Sequence, residues 1–179
     1  MTERPGLAWD SPKLAGAQTL ALSSPDFDNE GTIPAVHAAT RVGGQNLSPA
    51  LAWSPAPPDT AQLLLVVEDP DAITPRPFVH CVALLGPAVT DLAHGALGAD
   101  RPAAGVQLLR SGIGSGYFGP APPKSHGPHR YVFQLFALAT PLTAGPRGAA
   151  LDSAKPREVL AAAGGVLARG RVDGFYERT

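Results

Sequence analysis

The sequence predicts a mainly β protein forming one domain over residues 1–179, with one helix near the carboxyl end. Twenty glycines and twenty prolines, more than a fifth of the chain, are interspersed with Val, Leu and aromatic runs, the pattern of many loops between short strands. The apolar runs are short and bounded by turn residues, and only one stretch has helical spacing, so a helical bundle is excluded. With 44% hydrophobic residues, the chain can bury a core.

Residues 1–17 are expected to be loosely ordered, and the first third of the chain to consist of loops and edge strands. Thr19-Leu20-Ala21-Leu22 alternates before the turn-rich Ser23-Ser24-Pro25-Asp26, and Ile33-Pro34-Ala35-Val36 reads as a further short extended segment. Leu51-Ala52-Trp53 is a short strand stopped by Pro55, Pro57 and Pro58, because proline removes a ladder donor and restrains the residue before it. Leu63 to Val67 is continuously apolar, as in a strand covered on both faces, and runs straight into Glu68-Asp69-Pro70-Asp71. After the connection Ile73-Thr74-Pro75-Arg76-Pro77, a second buried run spans Phe78 to Leu85 and ends at Gly86-Pro87. These two strands are expected as neighbours. A brief strand is expected at Val106 to Leu109. The loop from Gly112 to Pro128 feeds the strand Arg130 to Leu138, and a loop of that length in a compact domain is usually functional. Ser153 and Pro156 are helix starters, followed at helical spacing by Val159, Leu160, Ala163, Val166 and Leu167; Gly164 and Gly165 must be held by packing or bend that helix. Gly170 to Tyr176 reads as a last strand.

Fourteen Lys and Arg against 15 Asp and Glu leave a net charge of −1, so nothing draws the chain to nucleic acid or to an anionic membrane surface. The longest apolar run, Leu63 to Val67, is far shorter than the roughly 20 residues of a membrane-crossing helix. Cys81 is the single cysteine and cannot form an internal disulfide. The amino terminus lacks the basic-then-apolar pattern of a secretion signal, which leaves the cytoplasm as the expected compartment.

Gly114-Ser115-Gly116-Tyr117-Phe118-Gly119 fits the G-x-G-x-x-G string of nucleotide loops, but Pro120, Pro122 and Pro123 forbid the helix that must follow it. His126-Gly127-Pro128-His129 cannot be presented from one helix, and a metal site built from Asp69, Asp71, His80 and His129, without recognisable spacing, stays a minor alternative. No metal and no cofactor are expected. Neither a G-x-S-x-G elbow nor a Cys-His signature is present, and nothing selects Ser115 or Ser125 as a nucleophile. His80 and Cys81, adjacent on a strand, are expected on opposite faces, with Cys81 a small buried residue. His37 reads as an exposed strand residue, His94 as part of a solvated turn, and Trp9 and Trp53 as core or edge cover.

The informative set is Asp69, His80 and His129. If the strands 63–69 and 79–85 pair antiparallel, Asp69 and His80 share a rim, and a strand 130–138 parallel to the latter brings His129 to the same rim. Tyr131 then points to the same side as His129. A carboxylate beside an imidazole favours the imidazolium, and two imidazoles with loop amides would make a small anion site for phosphate, sulfate or carboxylate. The alternative is that Asp69 and Asp71 merely build an Asp-Pro-Asp turn and that each histidine satisfies a backbone group.

Three ordered motifs, Asn46-Leu47-Ser48-Pro49-Ala50-Leu51-Ala52-Trp53, Asp69-Pro70-Asp71-Ala72, and Gly116 to Pro123 continuing to His129-Arg130-Tyr131, resemble the phosphatidylethanolamine-binding protein family, most closely its bacterial and archaeal branch. The resemblance extends from Ser24 to Arg178. It implies a Greek-key β-sandwich with a carboxyl-terminal helix and short extra helices, and a pocket that binds phosphate-like or carboxylate anions. The pocket residues it implies are Asp69, His80, Gly119, Pro120, Ala121, Pro122, His129 and Tyr131, with Asp71 and Tyr117 as secondary positions and no residue assigned to catalysis. Ile73 stands where the family usually has proline, and Cys81 replaces its customary tryptophan. Ala121 is glycine in some eukaryotic relatives, and Gly165 is often histidine in bacterial ones. The expected function is binding of small anionic or zwitterionic phosphate or carboxylate ligands such as phosphoethanolamine headgroups, with regulation of a partner kinase or protease implied by eukaryotic members. A small-molecule hydrolase or lyase using an Asp-His pair is the alternative. A monomer or a homodimer would suit either.

Overall fold

The computed structural model describes residues 6–179. Its strands are β1 (Gly31–Thr32), β2 (Leu51–Ala52), β3 (Gln62–Asp69), β4 (Phe78–Leu85), β5 (Asp91–Leu92), β6 (Val106–Leu108), β7 (His129–Leu138) and β8 (Val166–Tyr176), with one α-helix, α1 (Pro156–Ala162), before the last. Short 3-10 turns fill several of the connections. Six strands make one sheet in the order β1-β8-β7-β3-β4-β6, and β2 pairs with β5 in a separate ribbon. Within the sheet β3, β4 and β6 follow one another as antiparallel neighbours and β7 returns to lie beside β3, the spatial order of a Greek key.

The uninterrupted apolar run of β3 is explained by cover on both faces. Leu63, Leu65 and Val67 pack with Tyr131, Phe133 and Leu135 and with Leu51 and Leu92 of the ribbon. Leu64 and Val66 join the opposite cluster, with Phe136, Val159 and Leu160 and with Ala8 and Leu14 of the amino-terminal segment.

Residues 1–5 lie outside the described residues, and residues 6–17, part of the segment expected to be loose, are docked on the sheet. The Ala8 amide donates to Glu68 Oε2 and the Trp9 amide to Gln134 Oε1, each at 2.7 Å. Glu68 is fully buried; Gln134 Nε2 also donates to its Oε2, and Arg157 Nη1 lies 2.7 Å from Oε1 as an ion pair outside hydrogen-bond angles. Polar groups on the sheet hold this segment, and apolar periodicity does not register them.

Other differences have local causes. The predicted helix stops at Ala162, because Ala163 is extended and Gly165 takes φ +67°, so Val166 and Leu167 open β8 instead. Ile33 to Val36 is no strand: β1 precedes it and Ala35–His37 is a 3-10 turn. Thr19 to Leu22 touches β8 irregularly, through Leu20 N to Arg169 O, without forming a strand. The β3–β4 ladder slips by one residue: Val67 pairs with Cys81 but Glu68 pairs with Val79, which makes His80 the extra residue of a bulge. Val79 therefore packs with Val66 while Cys81 packs with Val67. The His80 ring meets Tyr131 on the Cys81 side, so these two adjacent residues do not face opposite ways.

Candidate functional site

Antiparallel pairing of β3 with both β4 and β7 brings the end of β3 and the starts of the other two to one rim. Asp69, His80 and His129 meet there, all but inaccessible to solvent. Asp69 Oδ1 accepts the Asp71 amide at 2.8 Å, which forms the Asp-Pro-Asp turn, and Oδ2 accepts from His129 Nδ1 at 2.8 Å. Burial pushes the Asp69 carboxyl above its ordinary pKa, against the opposing pull of His129. The other nitrogen of His129, Nε2, lies 2.7 Å from Nδ1 of the exposed His126, so one proton is shared there and a hydrogen-bonded chain runs from Asp69 to the surface.

His80 is clamped by the glycine loop. Its Nδ1 donates to the Phe118 carbonyl at 2.6 Å, and its own carbonyl accepts the Phe118 amide at 2.9 Å. The ring stacks on Phe118 at 5.7 Å and meets the Phe78 and Tyr131 rings at 4.9 and 5.1 Å. Burial lowers its pKa to about 4, reinforced by the charges of His129 and Arg41 and opposed by the Phe118 bond. The imidazolium expected at His80 is therefore corrected: at neutral pH the ring is neutral, and Nε2 is the nitrogen left for a ligand. Burial raises the Tyr131 phenol well above its usual pKa, against an opposing pull from the Ala121 backbone, so it stays a hydroxyl.

These groups line a cavity of about 240 Å³ with Arg41, Ala72, Ile73, Thr74, Phe78, Ile113, Phe118, Ala121, Pro122 and Pro123. Of the residues named from sequence, Asp69, His80, Ala121, Pro122, His129 and Tyr131 face it. Gly119 and Pro120 are outside its lining and hold the loop instead: the Gly119 amide donates to Asn46 Oδ1 and the Pro120 carbonyl accepts the Ala39 amide. Tyr117 is buried beside it and donates to the His37 carbonyl, while the exposed Asp71 accepts the Arg130 amide.

Sequence reasoning missed Arg41, Phe78, Phe118 and Ile113 as lining groups, His126 as the outer end of the hydrogen-bonded chain, and Asn46 as the brace that also donates to the Tyr117 carbonyl. Only the Asn46 motif carried a usable signal. His37 is also corrected: it is 2% exposed, with Nδ1 donating to the Leu47 carbonyl, and His94 binds Asp26 from a half-exposed turn. Among the described residues no group of three or more His, Cys, Asp or Glu side chains is arranged to hold a metal ion, and no helix is long and apolar enough to cross a membrane.

A fungal "Phomoidride biosynthesis cluster protein B" is 33% identical over 169 residues, covering 90% of this chain and 79% of the relative. A "UPF0098 protein" of Aquifex aeolicus is 32% identical over 170 residues, covering 92% of each. The crystal structure of YbcL from E. coli, described as a new member of the mammalian PEBP family, superposes with a TM-score of 0.76 at 27% identity, covering 90% of this chain and 99% of that one. The family model for "Phosphatidylethanolamine-binding protein" matches residues 23–177. With the Greek-key sheet and these relatives, that match places the chain in the phosphatidylethanolamine-binding protein family.

Proposed function

We propose that the protein binds a small anionic or zwitterionic ligand bearing a phosphate or carboxylate, of phosphoethanolamine size, in this cavity. The observation that carries the reading is the convergence of Asp69, His80 and His129, distant in sequence, on one buried wall with the Tyr131 hydroxyl beside them. Buried polar groups are expensive unless something satisfies them, so a wall of this kind suits a polar ligand. The cavity lies just below the roughly 300–1,000 Å³ of drug-sized sites, which fits a headgroup. Titration with inorganic phosphate and with phosphoethanolamine, followed through histidine imidazole NMR signals, is expected to shift His80 and His129 saturably. Unchanged signals at millimolar ligand would overturn the reading.

One observation favours catalysis as a second reading: the Asp69–His129–His126 chain orients an imidazole as a general base is oriented. Among the described residues no serine or cysteine lines the cavity, the Thr74 hydroxyl that does line it donates to the Arg76 carbonyl, and burial pushes the Cys81 thiol up to about 12. Water-based hydrolysis or a lyase step remains the form such activity would take. Turnover in an ester and phosphoester screen that vanishes in Asp69→Ala would promote this reading over binding alone.

A further inference from the structure

We infer that His126 couples anion binding in this cavity to proton uptake: capture of the anion draws a proton from solvent through His126 onto the His126–His129 pair. The inference rests on the small-ligand reading above and assigns how that site responds to pH.

The geometry allows one proton between the two rings. Nδ1 of His129 donates to Asp69 Oδ2 at 2.8 Å, so Nε2 is the nitrogen it turns to His126, 2.7 Å from His126 Nδ1. With both rings neutral, His126 Nδ1–H donates to the lone pair on His129 Nε2. The His126 ring is exposed, and among the described residues no group bonds its other nitrogen, Nε2. A proton arriving there from solvent lets the bridging proton pass to His129 Nε2. Positive charge then appears on the cavity wall, although His129 itself is only 2% exposed. The added proton therefore belongs to the pair, and the two rings titrate together.

The local backbone holds this arrangement. Ser125 takes φ +58° and its amide donates to the Arg178 carbonyl at 3.0 Å, while Gly127 takes φ +85°. The tight turn that results sets the two rings edge to face at 5.0 Å. Asp69 on β3 favours an added proton on the pair. Arg41 across the cavity, with Lys124 and Arg178 beside the turn, opposes it. His80 on β4 and the Tyr131 and Tyr176 phenols of β7 and β8 contribute no charge at neutral pH, and Asp71 is occupied by the Arg130 amide. An anion in the cavity tips this set towards the imidazolium, and by reciprocity the protonated pair binds the anion more tightly.

The test uses the full chain as wild type, His126→Ala and His126→Gln, titrated calorimetrically with inorganic sulfate, which keeps its charge from about pH 8 to about pH 6. Uptake of up to one proton makes wild-type affinity rise by up to about tenfold for each pH unit of acidification. His126→Ala is expected to lose most of that slope, because a buried imidazolium without an acceptor for its second N–H is costly. The amide of His126→Gln can hold the His129 ring but takes up no proton, so this variant is expected to match wild type near pH 8 and to gain less on acidification. Imidazole NMR of wild type should show sulfate moving His126 and His129 together towards the imidazolium form. Equal slopes in wild type and both variants, or movement of His129 alone, would overturn the inference. So would wild-type sulfate binding that is absent or flat to within about twofold over that range. Phosphoethanolamine, titrated alongside, separates the two readings: if it binds wild type the small-ligand reading stands, and if neither probe binds both fall.

Discussion

His80 is buried with one nitrogen fixed on the Phe118 carbonyl, and its acid titration should be visible in the stability of the whole chain. The unfolded chain takes up this proton near pH 6.5 and the folded chain near 4, so between those values the unfolded state binds more protons. Stability from this group is complete above pH 6.5 and is lost as pH falls toward 4, by up to about 3 kcal/mol. Urea melts between pH 7 and 4 are expected to show that decline in wild type and a flatter profile in His80→Gln; equal slopes would rule it out. Asp69, His80 and His129 could be grouped from sequence because each stands near a strand end, on the condition of antiparallel pairing that β3 makes with β4 and β7. The charge state of His80 could not, since it depends on the Phe78 and Phe118 rings closing over it. Arg41, likewise, becomes part of the cavity only when its turn docks on the loop.

The connections are held by particular atoms that substitution can remove. A Cβ on Gly119 would collide with the backbone carbonyl of His37, so Gly119→Ala must push the loop away from the turn that precedes Arg41. Its expected effect is a lower melting temperature together with weakened phosphate binding, read by thermal scans and calorimetry. Arg157, on the first turn of α1, donates to the Pro77 carbonyl and neutralises the fully buried Glu68. Arg157→Ala strands that charge, for which about 3–5 kcal/mol is the usual penalty, and hydrogen exchange at the Ala8 amide should quicken with it. A loss below about 1 kcal/mol would mean that Glu68 finds another partner. Strand β3 was legible because cover on both faces writes an unbroken apolar run from Leu63 to Val67, and β4 and β7 because their runs are largely apolar and bounded by turn residues. The docking of residues 6–17 was not, because it is made by Glu68 and Gln134 accepting backbone amides. The helix was legible at its start, where Pro156 takes the first helical position, and misread at its end, where the glycine pair stops it.

Across the whole molecule, two apolar clusters back opposite faces of one sheet, and the cavity opens at a rim beside the first of them. A ligand that binds only the folded chain must raise its stability by mass action, about 2.7 kcal/mol at one hundred times its dissociation constant. Phosphoethanolamine is accordingly expected to raise the melting temperature in proportion to the logarithm of its concentration, and an unaffected transition would argue against a folded-state site. The Greek-key order was anticipated from motif resemblance, whereas the direction of β7 stood only as a condition, which its antiparallel pairing with β3 meets. The slip that admits His80 into the hairpin has a consequence of its own. Since Val79 and Cys81 keep their separate partners on either side of it, excising that single position would close the β3–β4 ladder evenly, while releasing the Phe118 backbone and ring that His80 holds. A chain shortened by His80 should therefore keep the register of the hairpin, melt at a lower temperature because the Phe118 loop loses its clamp, and no longer respond to phosphoethanolamine.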